Sequence, residues 1–169
     1  MTTEQQDRKV KVGFIGAGFI GQVAHLANYK EIPGAEVIAL AELRPELGEL
    51  VCRRYDIPRY YENHTAMLED PEVEAVVAVV RRHHTGPVGL DVLNAGKHLF
   101  TEKPMAATHE QGQRLVAAAT EHDLRYGVGF MRRYDEGVQA AKSMLDELLE
   151  SDELGPVRYV RIYCYAGGD

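Results

Sequence analysis

Apolar residues along this chain follow two alternating rhythms. Short apolar runs are separated by stretches in which apolar positions recur at helical spacing. The run 10–15 reads as a strand. Residues 18–30 read as a helix, with Ile20, Val23, Ala24 and Ala27 forming one stripe. After the Pro33-Gly34 turn, residues 36–41 are apolar along nearly their whole length, as in a strand covered on both faces. Pro45 opens the next helix, where a missing amide costs nothing, with Leu47, Leu50 and Val51 on one side. A weaker helix covers 63–68, and the valine-rich run 74–80 is the third strand. Thr85 is placed as the cap of a helix that stops at Gly96. Residues 97–101 form the fourth strand. Thr108 and Gln111 have capping-box spacing for a helix that buries Leu115, Ala118 and Ala119. Residues 124–130 are the fifth strand, and 135–150 a long helix with Val138, Ala141, Leu145, Leu148 and Leu149 on one face.

This alternation predicts an α/β fold with a parallel sheet and right-handed crossovers. The last segment breaks the rhythm. In 157–165, Val160, Ile162 and Cys164 take one face, while Tyr159, Arg161, Tyr163 and Tyr165 take the other. That pattern predicts an antiparallel-type strand with two unlike faces. Residues 151–156, containing Gly155-Pro156, read as a linker. A lone strand is unstable in water and its open edge invites pairing, so the segment is expected either to pair with its own copy in a homo-oligomer or to stay poorly ordered.

Candidate chemistry begins at Gly16-Ala17-Gly18-Phe19-Ile20-Gly21, between a strand and a helix. Gly16 allows the tight turn, Gly18 lets a pyrophosphate approach the backbone, and Gly21 permits close helix–strand packing. The amides at Phe19 and Ile20 belong to the positive end of the helix, where phosphates sit. About 20 residues further on, Glu42 ends the second strand, at the distance where a carboxylate meets ribose hydroxyls. A carboxylate there repels a 2′-phosphate, so NAD is favoured; Arg44 nearby offers that phosphate a guanidinium and keeps NADP open. The alternatives are a glycine turn kept for packing and a solvated carboxylate. The fold class is therefore a Rossmann doubly wound parallel sheet. Residues 1–134 are expected to form the dinucleotide-binding domain, and 135–169 the first helix and strand of an incomplete α+β substrate and oligomerisation domain.

Glu102-Lys103-Pro104 stands where a parallel strand reaches its C-terminal end, the ligand-binding edge of such sheets. Pro104 restricts Lys103 to extended geometry and is a candidate for a cis bond. Two readings stand for Lys103. Its ammonium either hydrogen-bonds a carbinol oxygen and relays the proton while hydride leaves carbon, or it is a surface lysine in a turn.

Composition narrows the field. A chain of 169 residues is long enough for one full core. A net charge of -7 argues against a nucleic-acid or anionic-membrane surface. Cys52 and Cys164 lie far apart, which argues against a disulfide framework and points to a reducing cytoplasm. The polar segment 1–9 lacks the apolar centre of a signal peptide, and no apolar run is long enough for a membrane span.

Gly16 to Gly21, Glu42, Ala95-Gly96-Lys97-His98, Glu102-Lys103-Pro104 and the run Gly129-Phe130-Met131-Arg132-Arg133-Tyr134-Asp135 together resemble the Gfo/Idh/MocA oxidoreductases, the last run in particular their inositol dehydrogenase branch. The resemblance covers nearly the whole chain. It implies a Rossmann domain followed by a sheet-rich substrate domain, and reversible oxidation of a sugar, cyclitol or polyol carbinol by NAD(P). It carries the functional lysine over to Lys103, with Glu102 beside it at the cofactor. The family usually supplies a further Asp and His from the second domain; both would lie beyond Asp169, so the 169-residue chain alone is expected to show little turnover. A cofactor-binding module without turnover, or one part of a split enzyme, is the alternative.

The stretch Val80-Arg81-Arg82-His83-His84-Thr85 departs from the family's Thr-Pro-Asn-like turn, with Thr85 where a His is usual. Arg81 and Arg82 either meet an anionic group of the substrate or dress the surface. Arg132 and Arg133 take a structural role first, with Arg133 a candidate for substrate contact. His83 and His84 read as loop residues, since no carboxylate or cysteine stands at ligand spacing, and no metal is assigned.

Overall fold

The computed structural model describes residues 8–151, 153 and 155–163. The chain divides into two compact units, Met1–Gly129 and Phe130–Asp169.

The first unit is built on six parallel strands in the order β3-β2-β1-β4-β5-β6. Their ranges are β1 Val10–Ile15, β2 Ala35–Ala41, β3 Arg59–Tyr61, β4 Ala75–Ala78, β5 His98–Glu102 and β6 Tyr126–Gly129. The helices are α1 Ala27–Tyr29, α2 Pro45–Tyr55, α3 His64–Leu68, α4 Arg82–Asn94 and α5 His109–Glu121. The strand order reverses between β1 and β4, so a crevice opens at the C-terminal ends of these two strands.

The central strands are apolar because helices cover both faces. Phe14 and Leu40 face one core, with Leu26 and Val51; Val76, Val92, Leu93 and Leu115 lie in the other. Each is almost wholly buried. The Phe14 ring meets Tyr29 edge-on, 5.3 Å between centroids.

Several helix ends form for the local reasons the sequence suggests. Asn63 caps α3 by accepting the Ala66 amide at 2.9 Å. Gly96 follows α4 with φ +73°, a conformation that glycine adopts without strain. Thr108 caps α5 through the Gln111 amide at 3.3 Å. The reciprocal bond of the box moves back one residue: Gln111 Oε1 accepts from the Ala107 amide.

Three expectations are corrected. Thr85 is not a cap. Helix α4 begins four residues earlier, with Arg81 in the cap position, and Thr85 is buried inside it. Strand β3 was not anticipated, because Arg59-Tyr60-Tyr61 lacks an apolar run; it is a short edge strand held by parallel pairing to β2. Finally, residues 157–163 adopt no strand. Alternation assigns side chains to faces, but a strand forms only against a neighbour, and none pairs with this segment among the described residues. Cys164 and Tyr165 of the expected strand lie outside the described residues.

In the second unit, a 3₁₀ turn at Met131–Tyr134 precedes α6 (Glu136–Ser151). Asp135 caps α6 through the Val138 amide at 3.1 Å and pairs with Arg132 at 3.1 Å. Arg161 donates to the hydroxyls of Tyr159 and Tyr163 at 2.7 and 2.8 Å, so these three residues share one side as the alternation suggests.

Candidate functional site: the C-terminal edge of the sheet

The sequence candidates of the first unit leave neighbouring parallel strands at one edge. The glycine turn follows β1, Glu42 follows β2, Arg81 follows β4, and Glu102-Lys103 ends β5.

The turn is built by short bonds to its neighbours. Gly16 donates to the Ala41 carbonyl at 2.9 Å, and Val79 donates to Ile15 at 2.9 Å. Gly16 sits at φ +93°, and a Cβ there would stand 2.4 Å from the Val79 oxygen, so only glycine fits. A Cβ on Gly21 would lie 2.7 Å from the Gly16 oxygen. Gly18 differs: nothing lies within 4 Å of its Cβ position. Internal packing therefore requires Gly16 and Gly21 but makes no demand for glycine at Gly18. An open, Cβ-free backbone at the first turn of a helix is what a pyrophosphate needs to reach the amides. Phe19 and Ile20 begin the helical turn and are exposed, and no side chain caps it. These residues fit the phosphates of a dinucleotide.

Glu42 is buried to 7 % relative exposure. Its Oε2 accepts the Ala17 amide inside the glycine turn at 2.8 Å. Its Oε1 accepts the Arg44 amide at 3.1 Å and Arg44 Nε at 2.8 Å. Burial alone would raise this carboxyl, but the Arg44 guanidinium and the two backbone amides outweigh it and hold Glu42 below the usual carboxylate range. Tyr60 of β3 fixes the same corner by donating to the Glu42 carbonyl at 2.8 Å.

Glu102 is held at both oxygens. His25 Nε2 donates to Oε1 at 2.9 Å, and the Lys103 amide donates to Oε2 at 3.0 Å. The Lys103-Pro104 peptide is cis. Lys103 is exposed, and no acceptor holds its ammonium among the described residues. Arg81 and Arg82 are exposed at the start of α4 without an acid partner, and the His83 and His84 rings stand 4.1 Å apart. Arg133 belongs to the second unit, where its carbonyl accepts from Gln139 at 2.9 Å. No cluster of His, Cys, Asp or Glu among the described residues could hold a metal ion.

Two residues of this edge escape sequence reasoning. Tyr60 lies on the unforeseen strand. His25 meets a partner 77 residues away, a pairing no local spacing announces.

Comparison with known proteins agrees with this geometry. Residues 10–130 match the Gfo/Idh/MocA family, described as an oxidoreductase family with an NAD-binding Rossmann fold. The chain belongs to that family, and its first unit is an NAD-binding Rossmann domain. An inositol 2-dehydrogenase/D-chiro-inositol 3-dehydrogenase of Lacticaseibacillus casei is 38% identical over 140 residues, 81% of this chain and 40% of the relative. An inositol 2-dehydrogenase of Salmonella paratyphi B is 32% identical over 150 residues, 86% of this chain and 43% of the relative. The chain thus spans about two fifths of the length of these relatives. Among solved structures, apo scyllo-inositol dehydrogenase from Lactobacillus casei superposes with a TM-score of 0.78 at 26% identity, over 84% of this chain and 42% of that one. A 3-ketoreductase from Actinomadura kijaniata, in complex with NADP and TDP-benzene, gives 0.78 at 29% identity, over 83% of this chain and 43% of that one.

Proposed function

We propose that the protein is a dehydrogenase that exchanges hydride between NAD and a carbinol of a sugar, cyclitol or related polyol. The observation that carries this is the placement of Lys103: it follows β5 at the same sheet edge as the glycine turn, and no acceptor holds its ammonium among the described residues. The inositol dehydrogenases among the relatives support a polyol as the substrate class.

NAD, when bound, accepts the hydride from the carbinol carbon. The chain's own residues do the rest. The amides of Gly18, Phe19, Ile20 and Gly21 hold the pyrophosphate, and Glu42 accepts the ribose hydroxyls. The Lys103 ammonium hydrogen-bonds the carbinol oxygen and, as the carbonyl forms, takes up its proton while passing one of its own to solvent. Glu102 supports the cofactor side of that lysine. The Arg44 guanidinium occupies the same carboxylate oxygens and swings off them when the ribose binds; its charge beside the 2′-position keeps NADP open. Residues 135–169 belong to the part of the protein that meets the substrate and its own copies; Arg81 and Arg133 are each candidates for a substrate contact.

Lys103→Ala tests the assignment. In an enzyme that carries its whole substrate domain, turnover of a polyol should fall by about 10²–10⁴-fold, the contribution of a positioned acid–base group, with NADH affinity almost unchanged. A variant that keeps turnover within a few-fold of the parent refutes the role of Lys103.

A further inference from the structure

We propose that His25 is a positioning residue for Lys103, acting through the Glu102 carboxylate. This rests on the reading of Lys103 as the group that meets the carbinol, and it adds a residue from the glycine-turn helix to that group's support.

His25 lies in Gly21–Leu26, a π-helical segment inside the first helix. Such wide turns are rare and re-aim the side chains they carry. The His25 side chain is only 12% exposed and points to β5. Its ring stands 5.8 Å from that of Phe100, and its Nε2 lies 2.9 Å from Glu102 Oε1. A carboxylate only accepts, so the histidine donates and its tautomer is set.

The other oxygen of Glu102 accepts the Lys103 amide at 3.0 Å. Lys103 lies just beyond the strand, so no ladder bond holds that amide. The following residue is Pro104, which has no amide to contribute. The Lys103 peptide is therefore tied to the body of the domain through Glu102. A carboxylate held at one oxygen can turn, whereas one held at both cannot. Gly129 on β6 lies beside this pair: a Cβ there would crowd Phe100 Cζ at 3.2 Å and reach ordinary contact with Glu102 Oε1 at 3.5 Å. The result is a line from the helix of the glycine turn, through one histidine and one carboxylate, to the backbone that carries the ammonium.

A packing role for the His25 ring against Phe100 is the competing account, and two substitutions separate them. His25→Phe keeps an aromatic ring and loses the donor; His25→Gln keeps a donor and loses the ring. The readouts are amide hydrogen exchange at Lys103, followed by NMR on the full chain, and NADH affinity. His25→Phe should lower protection of the Lys103 amide about tenfold, the scale of one hydrogen bond to a charged group, and His25→Gln should restore it. NADH affinity should be unchanged in both. Loss of protection in both variants, or in neither, overturns the proposal. So does a fall in NADH affinity in His25→Phe, which would make His25 a cofactor contact. A parent chain that binds no NADH would refute the dehydrogenase reading instead, while the pattern of Lys103 protection still decides the role of His25.

Discussion

Arg44 grips Glu42 with a two-pronged fork: Nε lies 2.8 Å from Oε1 and Nη2 3.1 Å from Oε2. The same carboxylate also holds the Ala17 amide, so the ribose corner and the phosphate turn share one anchor. Glu42 therefore shapes the turn as well as taking the ribose role proposed for it.

This relationship predicts the cofactor preference. Fluorescence titration should show NADH binding tighter than NADPH. Glu42→Ala removes the charge that repels a 2′-phosphate and releases Arg44 to meet one. The variant should bind NADPH more tightly than the parent does, and NADH more weakly. An unchanged NADH-to-NADPH ratio would count against the ribose role of Glu42.

Stability should depend on pH through two buried carboxylates. Glu42 is raised by burial but lowered further by Arg44 and its backbone donors. Asp70 is likewise raised by burial, and lowered further by the Glu72 amide, the Tyr61 hydroxyl and the Arg59 and Lys97 charges. Both folded values lie below the ordinary ones of 4.5 and 3.8. The stability they confer is thus fully present above those values and is lost as the pH falls through and below them. Urea midpoints should hold between neutral pH and about pH 5, then drop. Asp70→Asn should flatten part of that drop, and a wild-type midpoint that rises on acidification would contradict the account.

Gly16→Ala should cost more than its size suggests. The added carbon meets the Val79 oxygen at 2.4 Å on a backbone at φ +93°, and both contacts are backbone, which cannot swing aside. A loss of more than about 1 kcal/mol is expected in thermal or urea unfolding.

Phe14→Ala tests the core on which the edge stands. Phe14 of β1 is fully buried and touches Tyr29 edge-on. Unfolding measurements should show a loss of about 3–5 kcal/mol.

The sequence revealed the doubly wound sheet because its central strands are fully covered. A strand buried on both faces reads as an apolar run, which is why β1, β2 and β4 were legible. The edge strand β3 was not, since Arg59 and its two tyrosines are only half covered and carry no run. Thr85 misled because a threonine before an apolar helix looks like a cap, yet here it is packed inside α4. The alternation of 157–163 was real as a pattern of side chains, but no partner strand exists among the described residues to make it a ladder. At the candidate site, the placement of the glycines, Glu42 and Lys103 at the ends of parallel strands was legible from spacing. The contacts of His25 with Glu102 and of Tyr60 with Glu42 were not, because they join elements far apart in the chain.

The central claim is that the glycine turn holds the phosphates of NAD, and Gly18→Ala tests it most directly. Nothing among the described residues lies within 4 Å of the carbon this change adds, so their packing gives no reason for glycine there. The account predicts an unchanged melting temperature and NADH affinity at least about tenfold weaker, because the methyl group takes the space a pyrophosphate needs. A variant that melts with the parent and binds NADH equally well would contradict it.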